Sequence, residues 1–184
     1  MSYFRNFLIL ALIFIPIHSF SDEKIEQSKY FVENLGKQVV EKVSNINLSE
    51  SERIVNFRNL YLDAFDNYYI SRFVLGQYWK RLDSNMRKQF VESFNNYIVT
   101  TYAPKFKGWE GTFKATDSLL ENNYYNVKMN VLNKDGPTLK FMWKIYLDKN
   151  KNFKILDVNI DLSLIHISEP TRQAEISYAV VCVK

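Results

Sequence analysis

The 184-residue chain carries 24 Lys+Arg against 20 Asp+Glu, a formal net charge of +4, with two His, one Cys and an aromatic fraction of 16%. The small positive excess is interspersed and forms no basic stripe of the kind that nucleic-acid binding requires, so no nucleic-acid partner is expected. His18, His166 and Cys182 all fall in terminal segments that read as lying outside the folded domain. That leaves the domain no Cys or His nucleophile, no Ser-His-Asp arrangement, no ordinary zinc site and no disulfide. No P-loop, dinucleotide-binding or calcium-loop pattern is present, and neither a metal nor a cofactor is expected.

At the N-terminus Arg5 precedes an apolar run, Phe7 to Ile17, that gives way to HSFSDEK. This is the layout of an export signal, and Ser19 and Ser21 supply the small residues needed for cleavage after Ser21. The 11-residue run is shorter than the roughly 20 residues a membrane span needs. Residues 1–21 are therefore expected to direct secretion, and the domain begins at Asp22. At the other end LSLIHISEPTR (Leu162 to Arg172) resembles the frame translation of a sequencing-library adapter, and ISYAV (Ile176 to Val180) resembles its flow-cell end. Residues 162–184 are accordingly expected to be a non-native tail and are set aside from fold reasoning. The stretch from Asp22 to Asp161 is long enough for one domain with a single core.

Its first half reads as helices. Ile25, Val32, Leu35, Val39 and Val43 recur at helical spacing from about Glu23 to Val43, with Gly36 as the weak point. Ser49 and Glu52 form a capping box ahead of a second helix bearing Ile54, Phe57, Tyr61, Ala64 and Phe65 on one face. Asp66 to Leu82 reads as short helical turns broken at Gly76. Asp83 or Ser84 then caps a fourth helix whose inner face is Met86, Phe90, Phe94, Tyr97, Ile98 and Tyr102. Pro104 and Gly108 end it.

From Gly111 the period falls to two, with turn signals at Glu121-Asn122-Asn123, Asn133 to Pro137 and Asp148 to Asn152. Thr138 to Leu147 is the clearest strand, alternating Leu139, Phe141, Trp143, Ile145 and Leu147 with Lys140, Met142, Lys144 and Tyr146. Its neighbour alternates Tyr125, Val127, Met129 and Val131 with polar residues. Helices first and strands after predict an α+β domain, with N-terminal helices packed on one face of an antiparallel β-meander.

Phe65-Asp66, FVLGQYW (Phe73 to Trp79), RKQFVESF (Arg87 to Phe94), Tyr102 and FKILDV (Phe153 to Val158) occur in that order across the domain. In these blocks the chain resembles the MlaC family, the toluene-tolerance auxiliary components of an ABC transporter. The resemblance implies a soluble periplasmic carrier that holds a phospholipid between helices and sheet. Such a carrier passes lipid between an outer-membrane lipoprotein complex and an inner-membrane ABC transporter complex, maintaining membrane lipid asymmetry. A monomer without catalytic activity is expected. The chain departs from the family at Phe153, where a tryptophan is usual, and after Asp161, where the family continues with glycine, valine, serine, leucine and a closing helix.

The composition asks for a similar object. Two lipid tails expose roughly 30 methylenes at about 0.8 kcal/mol each, so diffusion through water costs on the order of 20 kcal/mol. A carrier must offer a dry pocket that resists collapse, which large rigid rings provide. Composition and resemblance together nominate Phe73, Leu75, Tyr78, Phe90, Phe94, Val127, Met129, Phe141 and Trp143 as lipid-lining. Taken singly, each is ordinarily a core residue. Lys80, Arg81, Arg87 and Lys88 cluster beside these helices and suit docking to partners or anionic headgroups. Two other readings stay open: a small-molecule enzyme using Asp157 with Tyr146 or Tyr125, and a ligand-free interaction module.

Overall fold

The computed structural model describes residues 19–134 and 136–161. Most of the expected export segment, the expected adapter-like tail, and His18, His166 and Cys182 lie outside the described residues. Four α-helices come first: α1 Ser19–Lys42, α2 Glu50–Ala64, α3 Asn67–Leu75 and α4 Ser84–Tyr102. Short 3-10 helices follow α3 (Gly76–Arg81) and α4 (Ala103–Phe106). Four strands then run β1 Gly111–Glu121, β2 Tyr124–Asn133, β3 Thr138–Leu147 and β4 Phe153–Asp161, in the order β1-β2-β3-β4, all antiparallel. This is the expected α+β meander with helices on one face.

Local chemistry sets most boundaries. The Ser49 side chain accepts from the Glu52 amide at 3.2 Å while the Glu52 carboxylate accepts from the Ser49 amide at 2.9 Å, closing the capping box at the start of α2. Asp66 caps α3 and Asp83 caps α4 in the same manner, each accepting from the amide three residues on. Gly76 ends α3 at φ +56°, a region disfavoured for side chains with a Cβ. Asn122 and Asn123 both have positive φ, the geometry a two-residue hairpin needs, which is why β1 and β2 pair without slack.

The core lies between α1 and the sheet. Val32, Leu35, Val127, Met129, Val131, Ile145 and Ile155 are buried there. Two polar contacts fix α1 on β1: the Ser28 and Ser118 hydroxyls meet at 2.7 Å, and Glu33 accepts from the Ala115 amide at 2.8 Å. Ala115 borders a β-bulge, so Glu33 satisfies an amide that the ladder does not. The opposite edge, β4, is covered in part by the α2–α3 junction, where Phe65 pairs with Ile155 and the Asp66 amide donates to the Ile155 carbonyl.

Gly36 has a packing role that its helix position alone does not suggest. The Phe113 ring lies against the α1 backbone there, and an added Cβ would overlap it. Gly36→Ala gains helix propensity yet should destabilise the protein by about 1–3 kcal/mol, read as a lower denaturation midpoint, because the Phe113 ring must move off the α1 backbone and give up its packing there.

Candidate functional site

α4 packs on α2, α3 and the 3-10 helix that follows it rather than on the sheet. The space beneath it is an apolar pocket of about 460 Å³. Its floor is the helix-facing side of the sheet: Val131, Leu139, Phe141, Trp143 and Val158. α1 supplies Leu35, Gly36 and Val39, α2 supplies Phe57, Leu60, Tyr61 and Phe65, and α4 supplies Phe94, Ile98 and Tyr102. Strand alternation and helical spacing thus aim one face of each element at the same space. Most of these side chains are only partly buried, which marks the space as a pocket rather than a filled core.

A run of touching rings frames it. Phe65 meets Tyr61 at 5.0 Å between centroids, Tyr61 meets Phe57 at 6.4 Å, and Phe57 meets Phe106 at 5.5 Å. Trp109 follows at 6.4 Å and Phe113 at 5.1 Å. Phe141 and Trp143 stack at 6.0 Å on the floor. Each pair is worth about 0.5–1.5 kcal/mol beyond area burial, so the frame holds its shape and resists closing on itself.

Asp157 is the one charged side chain in the lining, and it is solvent-exposed. Burial pushes the Tyr61 hydroxyl up to about 12, and burial, then Tyr97, raises that of Tyr102. Both therefore stay neutral at physiological pH. The indole Nε1 of Trp143 is buried without an acceptor, a donor that a ligand oxygen or a water could engage. Among the described residues no cluster of His, Cys, Asp or Glu could hold a metal.

The structure distributes the nine nominated lining residues over three environments. Phe94, Phe141 and Trp143 come together in the pocket. Val127 and Met129 are 0% and 1% exposed in the core, because β2 passes directly under α1, so bulk added there tests the core and not the pocket. Phe73 and Tyr78 point to solvent at 63% and 53% exposure, since among the described residues α3 and the following 3-10 helix have no layer outside them. Leu75 and Phe90 are partly buried outside the pocket lining, Phe90 stacking on Phe94 at 6.1 Å.

The inner face expected for α4 also differs. Met86 and Tyr97 are exposed, and the buried positions are Asn95 and Val99. The helix is covered by α2 and α3 on one side and faces the pocket with another, so two stripes replace one. Phe57, Ile98, Phe106, Trp109 and Phe113 belong to the lining without having been nominated. Their apolar periodicity was visible, but nothing local distinguishes a face that meets a gap from one that meets a neighbour.

The acid–base pair an enzyme would need does not assemble. Tyr125 is buried in the core, and the Tyr146 hydroxyl donates to Asp66 Oδ2 at 2.5 Å rather than to Asp157. Burial and then this bond to Asp66 push the Tyr146 hydroxyl up to about 12. A raised folded pKa favours the protonated phenol, so this contribution is complete below about pH 10 and is lost as pH rises through about 12. Tyr61 adds to the same slope. The denaturation midpoint should stay flat up to about pH 10 and then fall, and Tyr146→Phe should make that fall shallower.

A comparison with solved structures finds the phospholipid-binding protein of Ralstonia solanacearum, solved in complex with a phospholipid. It aligns with a TM-score of 0.62 at 14% sequence identity, covering 72% of this chain and 77% of that one. At that identity the likeness establishes a shared fold. No match is found among curated protein sequences. The model of the MlaC protein family matches residues 31–167, from the first buried turns of α1 past the end of β4 and into the stretch that reads as adapter. The second half of α1, the other three α-helices, the meander and every residue lining the pocket fall within that match, and the chain belongs to the MlaC family.

Proposed function

We propose that this protein is a phospholipid carrier, working by binding and release without a catalytic step. The observation that carries the proposal is the ring-framed apolar pocket of about 460 Å³, whose only charge sits at an exposed position. Such a lining lowers the free energy of acyl chains and offers nothing to activate a bond. Family membership and the phospholipid bound by the Ralstonia structure support the same reading. The unpartnered Trp143 indole suits an ester or phosphate oxygen of the lipid. Export by residues 1–21 places the carrier in the periplasm, where it moves lipid between an outer-membrane lipoprotein complex and an inner-membrane ABC transporter complex. Residues 162–184 are proposed to be non-native. Native mass spectrometry of the purified protein tests the proposal: a stoichiometric phospholipid adduct is the expected result, and a ligand-free species throughout would overturn it.

A further inference from the structure

The helical side carries a second concavity, of about 520 Å³, that backs onto the same helices as the apolar pocket. Adjacent residues divide between the two: Phe57 and Phe94 face the apolar pocket, Arg58 and Asn95 the other. Arg58, Arg87 and Lys88 line this cleft, with Glu92 as its single carboxylate. None of the three cations takes part in an ion pair among the described residues. Arg87 is nevertheless held in place: its Nε donates to the Trp79 carbonyl at 3.2 Å and its guanidinium lies 5.5 Å over the Trp79 ring.

Asn95 lines the same cleft at 9% exposure, and its Oδ1 is buried without a partner. Around the cleft, aromatic and apolar side chains stand in solvent: Tyr68, Phe73, Tyr78 and Met86. From Asn67 to Val91 the chain carries Arg72, Lys80, Arg81, Arg87 and Lys88 against Asp83 alone. Cations interleaved with exposed rings match the headgroup layer of an anionic bilayer. A protein interface rich in Tyr and Arg would be poor in lysine, whereas Lys80 and Lys88 are both exposed here.

We infer that this face docks on an anionic membrane surface, seating a lipid phosphate between Arg58, Arg87 and Lys88 with the exposed rings among the headgroups. The inference rests on the carrier reading for its purpose, since it brings the apolar pocket, built from the same helices, to the membrane surface at which the complexes hand lipid over.

Co-sedimentation with vesicles tests it. The purified chain should pellet with phosphatidylcholine vesicles containing phosphatidylglycerol, fail to pellet with phosphatidylcholine alone, and release as salt is raised. Joint Arg58→Gln and Lys88→Gln substitution should weaken partitioning about 30-fold. Joint Lys114→Gln and Lys140→Gln substitution removes the same charge from the sheet face turned away from the helices and should leave binding intact. Equal pelleting on both vesicle types, or a drop shared by the two double variants, would overturn the inference. So would an absence of pelleting altogether, which would reassign the face to an acidic protein partner. Circular dichroism verifies that both variants fold, and their bound lipid, read by mass spectrometry, reports separately on the carrier function.

Discussion

Ile98→Asp is expected to yield a folded protein that carries no phospholipid. Ile98 lies on the pocket-facing stripe of α4 and is only partly buried, so the free protein can hydrate a carboxylate there. Acyl chains would strip that water away. Desolvating an unpaired carboxylate costs several kcal/mol, enough to weaken binding at least about a hundredfold and to remove the adduct from a native mass spectrum. Tyr97→Asp is the matched control. Tyr97 is one residue away, 55% exposed and turned from the pocket, so its variant should retain lipid. Equal adducts in both variants would mean that the lipid does not occupy this pocket.

Arg53→Met should cost on the order of 3–5 kcal/mol of stability, a large share of what a domain of this size possesses. Arg53 is 1% exposed and has no carboxylate partner among the described residues. Its guanidinium instead donates to the carbonyls of Val43, Asn45 (2.9 Å) and Leu48 (3.3 Å), where α1 ends and the chain turns into α2. The Val43 carbonyl directly follows α1 and lies at the negative end of its dipole, which further favours the cation. Methionine fills much of the space and satisfies none of them. The melting temperature should drop by about 10 °C or more, and Arg53→Lys should recover only part of it, because an ammonium cannot span three carbonyls with a planar fork. A loss under about 1 kcal/mol for the methionine variant would show that water replaces the guanidinium at this turn.

Arg53 also marks where sequence reasoning stops. In sequence it is one more charged residue on an amphipathic helix, and only the fold of residues 43–48 over it makes it a buried hub. The apolar pocket follows the same rule. Phe141 and Trp143 were nominated together with Val127 and Met129, and by strand alternation alone the four are equivalent. α1 crosses over the two β2 residues and leaves the β3 pair uncovered, a difference fixed by helix placement and not by either strand. Phe73 and Tyr78 fail to reach the pocket for the converse reason: α3 and the 3-10 helix after it present them to a side where the described residues form no further layer.

The sequence by itself determined the element order, the capping of two helices, the tight hairpin at Asn122-Asn123 and the α+β class, and through its ordered blocks it pointed to the family. Each of these rests on interactions within a few residues or on a period repeated along one element. Only the tertiary structure decided which apolar faces meet a neighbour and which meet a gap, that Tyr146 serves Asp66 rather than Asp157, and that Gly36 makes room for Phe113. Those outcomes depend on contacts between residues some 80 positions apart, and a one-dimensional pattern states what a side chain can do but not what it will be set against.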